Sequence, residues 1–266
     1  MDLHSGLPYW IIRNSLWDYF HPLEKDLSTD VVIVGSGITG ALMAHELCHA
    51  GIKCCIVDKR SIATGSSAAS TALLQYEIDV PLCRMAKIIG EENAATAYHA
   101  CLQSISDIKR VLEETGVNAG FEQLPSLFYA SSAADNKLLE QEHEIRQKHK
   151  LPVNLLEKKK IKEEYKVKTP GNALINEASA QMDAYRAATG LLAYHIKESG
   201  LKVFTHTSIK ECIETSDGCI MTTDRGHKIK CGYVIIATGF EAGQFLPQKI
   251  MDLTSTYALV SHPVAS

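Results

Sequence analysis

The chain has 266 residues, 45% apolar and 22% charged, with a formal net charge of −4. That length can bury a real core as one large domain or two small ones, and the charge balance gives no reason to expect nucleic acid or an anionic membrane as partner. The eight cysteines (48, 54, 55, 83, 101, 212, 219, 231) form no Cys-x-x-Cys pair and the eleven histidines fall in no metal-ligand spacing, which argues against a disulfide scaffold or a zinc site. No stretch has the apolar length of a signal peptide core or a membrane span, so the reading defaults to a cytoplasmic protein.

In chain order, residues 1–29 read as an N-terminal arm, with Pro8 and Pro22 and no clear periodicity. Its aromatics Tyr9, Trp10, Trp17 and Tyr19 indicate that it packs on something. Asp30 to Val34 is a buried parallel strand, Ile38 to Ala50 a helix stopped by Gly51, and Lys53 to Val57 a second buried strand. Helical patterning returns from Pro81 to about Thr115, split by Gly90. Leu127 to Ala130 and Val153 to Leu156 read as strands. Asp135 to Lys150 reads as a charged, exposed helix and Lys158 to Tyr165 as a short one. The mixed charges of residues 158–164 mark a solvated face. A helix from Asp183 to Ser199 ends at Gly200. Strands then follow at Lys202 to Thr205, Ile209 to Glu214 and Cys219 to Thr223, with a hairpin turn at Asp217-Gly218. Tyr233 to Ile236 is an apolar strand ending in Ala237-Thr238-Gly239, and Thr256 to Val260 begins one more strand.

The chemistry is concentrated in the first of these units. Gly35-Ser36-Gly37-Ile38-Thr39-Gly40 lies between a strand and a helix, where Gly35 permits a tight turn, Gly37 a close approach of pyrophosphate, and Gly40 close helix packing. The helix N-terminus offers N–H groups and partial positive charge to phosphate. Asp58 ends the next strand, where a carboxylate accepts from ribose hydroxyls; its loss is expected to weaken binding without unfolding the chain. This context indicates a dinucleotide. Two further segments favour FAD: Thr64-Gly65-Ser66-Ser67, whose small hydroxyl residues suit a phosphate channel, and the strand ending at Ala237-Thr238-Gly239, which brings backbone to the carboxyl end of the sheet.

These stretches, taken in order with Gly65 to Ser70 and Met182-Asp183-Ala184-Tyr185-Arg186, resemble the D-amino-acid-oxidase-like FAD oxidoreductases. That family includes glycine oxidase, sarcosine oxidase and gamma-glutamylputrescine oxidase. Ser5 to Trp10 resembles the lead-in of the putrescine-oxidase branch more weakly. The resemblance implies an α/β fold, a glutathione-reductase-like Rossmann-type FAD domain with an inserted substrate domain. It places Ile38 and Thr39 at the pyrophosphate, Asp58 with Lys59 at the adenosine ribose, and Ser66 and Ser67 at phosphate. Thr71, Ala72 and Leu73 would approach the flavin, and Ile209 would set its backbone against the adenine. The expected cofactor-binding set is therefore Gly35, Ser36, Gly37, Ile38, Thr39, Gly40, Asp58, Lys59, Gly65, Ser66, Ser67, Thr71, Ala72, Leu73, Ile209, Ala237, Thr238 and Gly239. No residue is singled out as a catalytic base or metal ligand.

Two features depart from the family pattern: Asp58 stands where glutamate is usual, and the chain lacks the family's later segments, so it reads as C-terminally truncated with an incomplete substrate domain. The expected division is the arm, an FAD-binding domain from 30–80 and 178–250, and a partial substrate domain from 81–177 and 251–266. The expected activity is oxidation of a small amine or amino acid by hydride transfer to flavin, with the electron acceptor open. The alternatives are a catalytically incomplete flavin-binding fragment or subunit and, less favoured, an NAD-dependent dehydrogenase.

Overall fold

The fold was analysed in a computed structural model, which describes residues 4, 6–17, 20–246, 252–254 and 257. All but Tyr257 of the strand expected over 256–260, Tyr19 of the arm, Ser5 of the lead-in and most of the expected 251–266 segment lie outside the described residues. In chain order the elements are α1 (Tyr9–Asn14), β1 (Leu27–Ser28), β2 (Val31–Val34), α2 (Ile38–His49), β3 (Cys54–Val57), β4 (Leu73–Leu74), α3 (Leu82–Ile89), α4 (Glu91–Thr115), β5 (Glu122–Tyr129), α5 (Asn136–Lys148), β6 (Asn154–Leu156), α6 (Lys158–Tyr165), β7 (Ala173–Gln181), α7 (Ala184–Glu198), β8 (Lys202–Phe204), β9 (Ile209–Thr215), β10 (Gly218–Thr223), β11 (Lys228–Cys231) and β12 (Tyr233–Ile236). They form two compact units. Unit 1 comprises the described residues of Met1–Thr71, Thr115–Ala119 and Asp183–Ser266; unit 2 comprises Ala72–Glu114 and Gly120–Met182.

Unit 1 is built on a parallel sheet in the order β12-β2-β3-β8. The register sets Val234 beside Val32, Val32 beside Cys55, and Cys55 beside Lys202. All four residues of β2 are buried, as expected of a strand covered on both faces. One face meets α2, which packs in turn on α7. From the other face Val32, Val34, Cys55 and Val57 join Met221, Ile229 and Cys231 of an antiparallel sheet, β1-β11-β10-β9, in a single apolar core. The first residues are tied into this unit: the Trp10 indole donates to the Ser70 carbonyl (2.7 Å), Asn14 donates to Asp183 (2.6 Å), and the Trp17 N–H is accepted by the Tyr185 hydroxyl (2.9 Å). Asp183 also caps α7 by accepting from the Arg186 N–H (2.9 Å).

Unit 2 is an antiparallel sheet centred on β7, which pairs along its length with β5 and on its other side with β6 and β4. Sequence patterning missed β7 altogether, because Ala173–Gln181 mixes Asn, Glu, Ser and Ala with no clean alternation and little β-branching. Buried polar contacts replace the apolar signal: Asn176 donates to Glu77 (2.5 Å) and accepts from Ser179 (3.0 Å). Helix α5 was expected to be charged and exposed, yet it buries Leu139, Glu142 and Arg146 in one stripe. The Arg146 guanidinium donates to Glu142 (2.7 Å) and Glu77 (3.0 Å) and lies over the rings of Tyr76 and Tyr98, 5.5 and 5.6 Å from their centroids. Glu142 in turn accepts the first N–H groups of α3, at Leu82 (2.9 Å) and Cys83 (2.8 Å). A guanidinium is tolerated in this core because two carboxylates and two ring faces meet it.

Candidate functional site

The carboxyl ends of β2, β3 and β12 open together onto one cavity of about 280 Å³ within unit 1. The glycine turn is shaped by what surrounds it. Gly35 has φ +110°, and a Cβ there would lie 2.5 Å from the Ala237 carbonyl oxygen. Its N–H donates to Val57 (2.8 Å), while Ala237 N–H donates to Val34 (2.8 Å), so three strands converge on this residue. A Cβ on Gly40 would strike the Gly35 carbonyl, whereas one on Gly37 meets only the Ser67 hydroxyl, at 3.0 Å. Gly35 and Gly40 are therefore glycines for folding, and Gly37 is the glycine that keeps the cavity open.

Helix α2 starts at this turn with Gly37 as its N-cap and no capping side chain from that residue. The Ile38 N–H is taken by the Ser67 hydroxyl (2.9 Å), which joins the helix start to the short 3-10 turn Ser66–Ala69. The helix end lines the cavity with Gly37, Ile38 and Thr39, an arrangement suited to an anionic ligand.

Asp58 lines the cavity and also holds the turn. One carboxylate oxygen accepts from both the backbone N–H (2.7 Å) and the hydroxyl (2.6 Å) of Ser36, and the other from the Arg60 N–H (2.8 Å). Ser36 is fully buried, and its hydroxyl also accepts the Ala63 N–H (3.3 Å). Among expected site residues, Gly35, Gly37, Ile38, Thr39, Asp58, Lys59, Gly65, Ser66, Ser67, Ile209, Ala237, Thr238 and Gly239 all line the cavity. Ser36 and Gly40 lie behind it as framework. Thr71 is exposed and does not line it. Ala72 (buried, φ +57°) and Leu73 (63% exposed, in β4) belong to unit 2.

Sequence reasoning missed an ion cluster in the cavity wall. Glu241, only 4% exposed, accepts from Lys59 (2.8 Å) and from both terminal nitrogens of Arg60 (2.8 and 3.0 Å). The Arg60 hydrogen bonds foremost, reinforced by Lys59 and opposed by burial, pull the Glu241 carboxyl down to about 2. The adjacency of Lys59 and Arg60 was visible in sequence; their partner, 181 residues beyond Arg60, was not.

The cavity also presents an unused hydrogen-bonding group. The Thr238 hydroxyl is buried in its lining and has no partner among the described residues. A buried hydroxyl without a partner is costly unless a ligand supplies one. With the helix start that lines it, the cradle at Gly37 and the carboxylate at Asp58, the residues present fit the pyrophosphate and ribose of a dinucleotide.

The family model described as FAD dependent oxidoreductase (DAO) matches residues 30–266. The chain belongs to this family. Its fold is that of glycine oxidase from Geobacillus kaustophilus, with a TM-score of 0.68 at 22% identity over 82% of this chain and 57% of that one. L-proline dehydrogenase from P. horikoshii has a TM-score of 0.67 at 23% identity, covering 85% and 58%. A Bacillus subtilis protein provisionally named a Rieske 2Fe-2S iron-sulfur protein is 23% identical over 87% of this chain and 44% of its own length. The aerobic glycerol-3-phosphate dehydrogenase of Staphylococcus epidermidis is 44% identical over 57 residues, 21% of this chain and 10% of its own length. The chain thus spans about half the length of the relatives that it matches along most of its own. Among the described residues no helix is long and apolar enough to cross a membrane, and no cluster of His, Cys, Asp and Glu is set to hold a metal ion.

Proposed function

We propose that this chain is the FAD-holding part of an oxidoreductase that oxidises an amine or amino acid. The observation that carries the reading is the convergence of Gly37, the α2 N-terminus, Asp58 and the unpartnered Thr238 hydroxyl on one cavity. In this reading Gly37, Ile38, Thr39, Ser66 and Ser67 hold the pyrophosphate, Asp58 the adenosine ribose and Ile209 the adenine side. Thr238 donates to or accepts from the cofactor at its buried hydroxyl. Bound FAD supplies the chemistry, accepting a hydride from the substrate carbon that bears nitrogen.

The protein's contribution in this chain is positional. Ser36 and the Arg60 N–H orient the Asp58 carboxylate, the buried Val34 and Ala237 exclude water beneath the turn, and Glu241 neutralises the neighbouring cations. The nitrogen-bearing substrate class is supported by the names of the structural neighbours, glycine oxidase, L-proline dehydrogenase and L-amino acid deaminase. A second reading, oxidation of an alcohol carbon, is favoured by the glycerol-3-phosphate dehydrogenase matches, which cover only 50 to 57 residues. Mass analysis of the cofactor released from purified protein tests the first step, with FAD expected; FMN or a nicotinamide nucleotide would refute it. Anaerobic bleaching of the flavin by amines and amino acids but not by glycerol 3-phosphate separates the two donor classes.

A further inference from the structure

Away from the cavity, unit 1 carries a second cluster of reactive groups where α2 ends and β3 begins. The Sγ atoms of Cys48 and Cys54 lie 3.9 Å apart, and both residues are part-buried free thiols. Behind them runs a chain of hydrogen bonds between α2 and the end of α7. His45 Nδ1 is 3.0 Å from His195 Nε2, His195 Nδ1 is 3.0 Å from the Ser199 hydroxyl, and that hydroxyl hydrogen-bonds Cys48. Both imidazoles are buried, and His49 stacks on His45 with ring centroids 6.1 Å apart. Burial and the neighbouring imidazoles hold His195 below the usual histidine range, which favours its neutral form.

We propose that Cys48 and Cys54 form a redox-active dithiol that reacts with low-molecular-weight disulfides and closes to an intramolecular disulfide. None of its groups lines the flavin cavity. Ten residue steps of helix separate Cys48 from Ile38 at the cavity, about 15 Å, and β3 separates Cys54 from Asp58. The site is therefore independent of the flavin reading.

The two thiols have unequal roles. Cys48 accepts hydrogen bonds from Cys54 and Ser199, which outweigh burial and bring its thiol down to about 7; Cys54, the donor in that pair, is pushed upward and stays protonated. The relay supports this polarity in one tautomeric arrangement: His45 donates to His195, His195 donates to Ser199, and the Ser199 hydroxyl is left to donate to the Cys48 thiolate. Cys55, next in sequence, is excluded because strand alternation turns it to the opposite face, where it is buried in the apolar core with Met221 and Ile229.

In the first step the Cys48 thiolate attacks one sulfur of the external disulfide, whose S–S bond breaks; one thiolate leaves and takes a proton from water. In the second, Cys54 loses its proton to solvent and its sulfur attacks Cys48. The mixed disulfide breaks, and the second external thiol leaves protonated. Two protein thiols give up two electrons and two protons, and the external disulfide takes both.

The test uses the full chain and oxidised glutathione. Trypsin cleaves after Lys53 and so separates Asp26–Lys53, which contains Cys48, from Cys54–Lys59. After oxidation these peptides are expected to remain joined until reduced. Cys54→Ser should abolish the link although Cys55 remains, and should leave glutathione trapped on Cys48; Cys48→Ser should give neither link nor adduct at Cys54. The pH midpoint for Cys48 alkylation is expected near 7, against about 8.5 for an ordinary thiol. Ser199→Ala should raise that midpoint without changing the fold. Unlinked peptides after the exposed Cys212 has reacted, a link that survives Cys54→Ser, or a Cys48 midpoint at 8.5 or above would each overturn the proposal.

Discussion

Replacing Asp58 by alanine separates two functions that a single carboxylate performs. The side chain accepts three hydrogen bonds, two of them from fully buried Ser36 at 2.6 and 2.7 Å. A buried donor left without its acceptor costs about 1–3 kcal/mol. The space vacated by the side chain faces the cavity, so water can reach one of the Ser36 donors, and the expected loss is about 2–3 kcal/mol, a large part of an ordinary domain's stability. Asp58→Asn preserves shape, but its amide must present N–H to one of the three donors, and about 1–2 kcal/mol is expected. Ser36→Ala removes the hydroxyl that donates to Asp58 and accepts from the Ala63 N–H. It should weaken FAD binding about fivefold by loosening the Asp58 carboxylate, although Ser36 does not touch the cavity. The assay is urea denaturation at constant slope, paired with flavin titration, on the three variants and the Ser36→Ala/Asp58→Ala double variant. A denaturation midpoint for Asp58→Ala equal to that of the unmodified protein would show that the carboxylate does not hold the turn.

Gly37→Val should give a folded protein with little or no flavin, because its side chain displaces the Ser67 hydroxyl and fills the cradle; unchanged flavin content in the folded variant would reduce the fingerprint to a plain turn. Gly40→Ala, which collides with the Gly35 carbonyl, is expected instead to lose the fold, read by circular dichroism. The Glu241 carboxyl titrates lower in the folded chain, near 2, than in the unfolded one, so its contribution is complete above about pH 4.5 and fades as pH falls toward 2. With partly exposed partners screening the pair, that contribution is about 1–2 kcal/mol, and the acid-dependent difference between unmodified protein and Glu241→Gln in denaturation midpoint measures it. Arg146→Leu leaves Glu142 and Glu77 facing each other without a cation in the unit 2 core and should cost about 3–5 kcal/mol by chemical denaturation; a loss under 1 kcal/mol would show that the buried pair is not coupled.

What could be read from sequence follows the range of the forces involved. The unit from Val31 to Asp58 was legible because each of its signals is local: apolar runs for strands covered on both faces, glycines at fixed spacing, and a carboxylate at a strand end. The pairing of β12 with β2 could be inferred from the order of the segments, although β12 lies at the edge of the sheet. By contrast, β7 is stabilised by contacts made from a distance, such as Asn176 with Glu77, and local patterning carries no trace of them. Arg146 and Glu142 looked like surface charges for the same reason. Asp58 was recognised as a site residue, but its grip on Ser36, which adds a stability cost to its loss, appears only when β2 and β3 lie side by side.

The same contrast explains why a cofactor cradle can be named here while no catalytic residue can. Dinucleotide binding asks for backbone geometry: a glycine turn, a helix end that faces the ligand, and one acceptor at a neighbouring strand. Two adjacent strands of one sheet and the helix between them supply all three, and unit 1 contains them together. Substrate choice asks instead for side chains gathered over the reacting ring. Thr71, Ala72 and Leu73, the residues expected nearest to it, sit where the chain leaves unit 1 and enters the antiparallel sheet of unit 2. Within unit 1 the cavity wall offers a paired carboxylate, Glu241, whose hydrogen bonds to Lys59 and Arg60 already occupy both of its oxygens. A carboxylate held in that way is a poor proton acceptor at neutral pH. Glu241→Gln should therefore change acid stability and leave the donor specificity of flavin bleaching as it was; a switch in donor class in that variant would move the substrate-selecting groups into unit 1.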